Sequence, residues 1–149
     1  MAERSYTTRR SAIVDAFVTK LLTINGTGNF LSTVSSVEPR LKFWDEIEEF
    51  PAIHVNAGSE TREYLGAGEK FRYLTLTFRC YVNEDDPVEA LEKLMEDVET
   101  VIETNNPITY TDNLGNVQST IQTSILSIDT DEGVLDPFGI GEIITTVQY

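Results

Sequence analysis

Phe71-Arg72-Tyr73-Leu74-Thr75-Leu76-Thr77-Phe78-Arg79-Cys80-Tyr81-Val82 is the stretch that decides the fold. Leu74, Leu76, Phe78, Cys80 and Val82 share one parity, and Tyr73, Thr75, Thr77, Arg79 and Tyr81 share the other. A period of two held over so many residues is a β-strand with one buried face and one wetter, partly aromatic face. Antiparallel sheets carry that pattern, because one side packs on a core and the other meets water. Upstream, Pro51 opens a second strand, Ala52 to Ser59, and Glu60 to Lys70 reads as a polar, glycine-containing connector with Tyr64 and Leu65 near its middle. Ser32 to Glu38 reads as a short strand, and Pro39 to Phe50 has room for one helical turn around Trp44.

Helices flank these strands. Ile13, Phe17 and Leu21 step by four, with Val14, Val18 and Leu22 beside them, so a helix is expected from about Thr7 to Thr23. Asn25-Gly26-Thr27-Gly28-Asn29 stops it, since glycine takes the left-handed conformation that ends helices. Asp86-Pro87 starts a second helix, with a side-chain cap followed by proline where its missing N–H costs nothing. That helix runs to about Thr104, ends at Asn105-Asn106-Pro107, and buries a stripe of Val88, Leu91, Leu94, Met95, Val98, Val101 and Ile102. Beyond it, Ile108 to Thr111 and Val117 to Thr130 flank a hairpin loop, Asp112 to Asn116. The apolar phase changes between Ile125 and Leu126, as a β-bulge requires. Asp131 to Gly139 is a loop, and Ile140 to Tyr149 a final strand rich in β-branched residues. The expected fold is α+β, a largely antiparallel sheet packed by two main helices in one domain over residues 1–149.

Charge is sorted along the chain. Lys93 is the last basic residue; the 56 residues after it hold ten carboxylates, within a formal net charge of −14. Such a chain is not built to grip nucleic acid by its general surface, because a polyanion is held through Lys and Arg contacts to phosphate. No apolar run approaches a membrane span, and Met1-Ala2-Glu3-Arg4 opens no signal-peptide core. A single cysteine, Cys80, excludes an internal disulfide and fits synthesis in a reducing cytoplasm.

Chemistry is scarce. His54 is the one histidine; it alternates within a strand and has no nucleophile elbow beside it, so a structural role is expected. One His and one Cys make a zinc site improbable, and Cys80 on an apolar strand face reads as an inert core thiol. Gly66-Ala67-Gly68 precedes a strand rather than a helix, so it is a turn and not a phosphate loop. Asn83-Glu84-Asp85-Asp86 and Asp129 to Asp136 are acidic, but Gly133 comes one place early for a calcium loop and Ile140 stands where its glutamate belongs. Twenty-five acids always permit some carboxylate pair, which makes a glycosidase reading uninformative. No catalytic residue, metal or cofactor is expected. The row Glu89, Glu92, Glu96, Glu99 and Glu103 on the second helix is different. It is either a plain solvent face or one that accepts self-repulsion in order to meet a basic partner or repel an anion.

In order along the chain, these segments resemble the tail terminator, or tail completion, proteins of long-tailed bacteriophages. The resemblance rests on the amphipathic N-terminal helix, Trp44 followed by Phe50-Pro51-Ala52-Ile53-His54-Val55, and the connector ending Gly66-Ala67-Gly68-Glu69-Lys70. It continues through Phe71 to Phe78, the Asp86-Pro87 start of an acidic helix, and the closing Val147-Gln148-Tyr149. It implies a structural virion protein at the tail–neck junction, made in the host cytoplasm. Copies form a hexameric ring that caps the tail tube, ends its polymerisation and joins the filled head. The implied partners are the tail tube protein, the sheath protein in contractile tails and a head-side neck protein, with DNA passing unbound and no membrane. A ring needs a heterologous interface, for which Arg62, Tyr64, Leu65 and Lys70 of the connector are candidates. The glutamate row, or the acidic loops, are candidates for a lumen or partner-facing wall. Another neck protein, or an acidic protein-binding adaptor, remains the alternative.

Overall fold

The computed structural model describes residues 9–149. Helix α1 is Arg9–Leu21, so Thr7 and Thr8 of the expected helix lie outside the described residues. Strands β1 (Ser36–Glu38), β2 (Ala52–Gly66) and β3 (Glu69–Asn83) precede helix α2 (Pro87–Thr104). Strands β4 (Thr109–Thr111), β5 (Val117–Ser119), β6 (Gln122–Thr130) and β7 (Phe138–Gln148) follow. The main sheet has the order β1-β2-β3-β7-β6, antiparallel throughout except where β1 joins β2 in parallel. The α+β expectation holds.

One face of the sheet carries the core. Ile53 and Val55 of β2, Leu74, Leu76, Phe78 and Cys80 of β3, and Ile143 and Val147 of β7 are fully buried beneath Ile13, Phe17 and Leu21 of α1 and Leu94, Val98 and Ile102 of α2. Phe17 meets Phe78 edge to face at 5.3 Å between ring centres. Helix α1 packs on β2, and α2 on β3 and β7. Gly141 makes the latter possible: a Cβ there would overlap the sulfur of Met95. Asp86 caps α2 by accepting the Glu89 N–H at 3.2 Å, and Pro87 occupies its first turn.

The opposite face is half covered. Segment 39–50, with a short 3-10 turn at Trp44–Glu46, lies over its lower part, where Trp44 and Phe50 pack on Phe138 at 5.1 and 5.7 Å. Two strand residues hold the segment down: the His54 ring bonds the Arg40 carbonyl at 2.8 Å, and the Tyr81 hydroxyl donates to the Lys42 carbonyl at 2.9 Å. Tyr81, expected on the wetter side, is therefore buried. Burial holds His54 below the ordinary histidine pKa, opposed by its bond to Arg40, and pushes the Cys80 thiol up to about 12.

Several boundaries differ from expectation. The connector Glu60 to Lys70 is not irregular. It is paired strand on both sides of a tight turn, with a bulge between Ala57 and Glu60. Val117 to Thr130 is two strands, because the chain leaves β5 at Thr120 and enters the main sheet at Gln122. The Thr120 hydroxyl takes the Ile108 N–H at 3.0 Å and fixes that corner. The Ile125/Ser127 register shift is the expected bulge. Val88, placed in the buried stripe of α2, is half exposed, and β7 begins at Phe138 rather than Ile140.

Candidate assembly surfaces

The free end of the β2–β3 hairpin is exposed from Thr61 to Glu69. Strand β7 ends against β3 where Tyr149 and Arg72 exchange both backbone hydrogen bonds. From there to the turn, Glu63↔Phe71, Tyr64↔Lys70 and Gly66↔Glu69 have only each other. At ~3.3 Å per residue the arm reaches about 15 Å past the sheet. Gly66, Ala67 and Gly68 all adopt positive φ (92°, 51° and 81°), the conformation that makes so tight a reversal and that glycine takes without strain. Tyr64 is 68% exposed and Leu65 50%. Exposed apolar side chains on an ordered arm are candidate contact residues.

Cross-strand pairing puts Arg62 opposite Arg72, and Tyr64 opposite Lys70, on the helix side of the arm. There they meet the start of α1. Arg9, Arg10, Arg62, Lys70 and Arg72, with Tyr149, Gln118, Asn56 and Pro39, line an open cleft of about 930 Å³. Arg9 and Arg72 lie over the Tyr149 ring at 4.9 and 5.5 Å, and Lys70 lies over Tyr64 at 5.6 Å. Arg9 donates to the Tyr110 hydroxyl at 2.9 Å, and Arg10 to the Gly58 carbonyl. Arg62 pairs with Glu60 at 2.8 Å, and Glu60 also accepts the Tyr149 hydroxyl. Burial raises the Glu60 carboxyl, but those two partners outweigh it and hold it below its ordinary value. Burial, then the bond to Glu60, pushes the Tyr149 hydroxyl up.

The glutamate row lies on the exposed side of α2. Glu89 pairs with Lys93 at 3.1 Å; Glu92, Glu96, Glu99 and Glu103 are exposed and have no ion pair among the described residues. Asp97 belongs to the same helix but not to the row. It is 1% exposed, and its carboxylate accepts the Leu31 N–H at 2.9 Å and the Ser32 N–H at 2.7 Å, tying the loop after α1 to the middle of α2. The sequence held a signal for it: Asp97 stands three after Leu94 and four before Val101, inside the apolar arc.

Of the acidic loops, Asp131 is turned inward, accepting the Leu135 and Ile140 N–H groups at 3.2 Å each. Among the described residues no three His, Cys, Asp or Glu side chains gather as a metal site. None of their helices is long and apolar enough to cross a membrane.

The exposed arm, the basic cleft and the acidic face of α2 are the candidate contact surfaces among the described residues. Comparison with known proteins identifies the class. Residues 7–149 match the family model for the bacteriophage tail tube terminator protein. Tail tube terminator protein p142 of Escherichia phage T5 is 39% identical over 111 residues, covering 71% of this chain and 69% of that protein. A chain in the virion of a native gene transfer agent particle shares the fold, with a TM-score of 0.57 over 92% of this chain and 93% of that one at 8% identity. The chain belongs to the bacteriophage tail tube terminator protein family. It is a structural component of the phage tail and not an enzyme.

Proposed function

We propose that copies of the chain, six in the expected assembly, close into a ring on the last ring of tail tube subunits, stop polymerisation and offer the head-side neck protein its docking surface. Family membership across residues 7–149 carries this reading. The free hairpin end supports it, because an ordered arm bearing exposed Tyr64 and Leu65 supplies one half of a heterologous contact, the kind that closes rings. Arg62 and Lys70 flank that contact. In contractile tails the sheath protein would meet the same ring. A protomer of net charge −14 suits a channel through which DNA must slide, since each phosphate held would slow its passage. The glutamate row of α2, or the acidic loops, would provide the repelling wall.

The test is tail length. Tails assembled without this chain should overrun their normal length and fail to take heads. Uniform tails of normal length, joined to heads, would rule the reading out.

A further inference from the structure

The basic cleft stands apart from the rest of the charge pattern. A chain with 25 acids and 11 bases brings five of those bases to one cleft, where Asp15 is the one carboxylate in the lining. Arg62 directly faces Arg72 across the strands, an arrangement that is unfavourable for like charges left alone. The Arg72 Nε is closed off from solvent and has no hydrogen-bond partner among the described residues. Arg9, Arg10, Lys70 and Arg72 have no ion-pair partner among them either. Five cations with one carboxylate among them make a cleft that favours an anionic occupant, which the described residues do not supply.

The same chain carries the complementary surface. Glu92, Glu96, Glu99 and Glu103 repel one another along α2 over about 16 Å, at 1.5 Å per residue. Same-face residues on the arm recur about every 6.6 Å, and helix residues four apart about every 6 Å, so the two ladders keep nearly the same step. The surfaces cannot meet within one copy: α1 packs on β2 beside the cleft, and α2 packs on β3 and β7 toward the other edge of the sheet. Two self-repelling patches of opposite sign, set on different parts of one protomer, relieve each other between copies.

We propose that the cleft formed by Arg9, Arg10, Arg62, Lys70 and Arg72 seats the glutamate face of α2 from a second copy of the chain. This rests on the ring reading and specifies its interface. It assigns the glutamate row to subunit contact and leaves any channel wall to other carboxylates. Tyr64 and Leu65, on the arm beyond the cleft, then close over the seated helix.

The test uses full-length chains in assembled tails. Lys70→Cys and Glu96→Cys placed in one chain should give, on oxidation, a ladder of crosslinked species beyond the dimer, while each single variant gives none. Cys80 is buried and does not interfere. Reversing the cleft with Lys70→Glu and Arg72→Glu should block incorporation, as should Glu96→Lys with Glu99→Lys. A chain carrying all four substitutions should recover it. Rings that are present in the tails but give no ladder would overturn the proposal while leaving the ring reading intact. So would a glutamate-reversed chain that still closes rings, or a cleft-reversed chain that closes rings yet no longer holds the tube. Tails from which the unsubstituted chain is absent altogether would end both.

Discussion

The β2–β3 hairpin is one structural element with two different lives. Residues 52–57 pair with 76–81 between β1 and β7, and Ile53, Val55, Leu76, Phe78 and Cys80 are fully buried under both helices. Past Arg72, where β7 ends, the same strands have only each other to pair with, and the side chains there include Tyr64, Leu65 and Lys70, with Arg62 and Arg72 at the junction beside the start of α1. The lower half obtains its order from the core. The free end is ordered by its own pairing and a few polar side-chain contacts, and its exposed side chains are the proposed contact residues. On the proposed reading, stability and assembly draw on separate halves of one hairpin, and substitutions should separate them.

The largest effect belongs to the core half. Phe78→Ala should lower unfolding stability by about 3–5 kcal/mol in a urea titration, since the cavity beside Phe17 cannot collapse between two packed layers. Asp97→Ala should cost about 2–3 kcal/mol, because two backbone N–H groups lose a charged acceptor at a buried site. Removing the cap with Asp86→Ala should cost about 1 kcal/mol.

A smaller, pH-dependent component comes from His54. Burial lowers its pKa in the folded protein, so below the ordinary histidine value of about 6.5 the unfolded chain takes up the proton first. Stability is full above that pH and falls as pH drops toward the folded pKa. Melting temperatures measured between pH 7.5 and 5.5 should show this decline, and His54→Gln should flatten it. The carboxyls held low, Glu38 and Glu60, add their loss only at more acidic pH, below their ordinary range. Smallest for stability is the arm: Tyr64→Ser with Leu65→Ser should stay within about 0.5 kcal/mol of the parent, yet abolish incorporation into tails. A large stability loss from that pair would erase the contrast between the halves.

What could be read from the sequence follows the same division. Strand Phe71 to Val82 was legible because burial writes a period of two into Leu74, Leu76, Phe78 and Cys80. Beyond Ser59 the partner strand has no core face, so nothing writes the period, and Glu60 to Lys70 passes for a connector. Helix α2 was legible at both ends because caps are local chemistry at Asp86-Pro87 and Asn105. Asp97 was missed as a staple because its partners, Leu31 and Ser32, lie more than sixty residues away. The glutamate row shows in sequence because a helix repeats it every three or four residues. The cleft does not, because Arg9 and Arg10 join Arg62, Lys70 and Arg72 only through the fold.

An image of the assembled tail end, resolved well enough to count subunits and trace strands, tests the central claim most directly. The account predicts a closed ring of this chain on the last layer of tube, with the free end of each β2–β3 hairpin lying on its neighbour. A single copy at that position, or a ring in which every hairpin end stands in solvent, would contradict it.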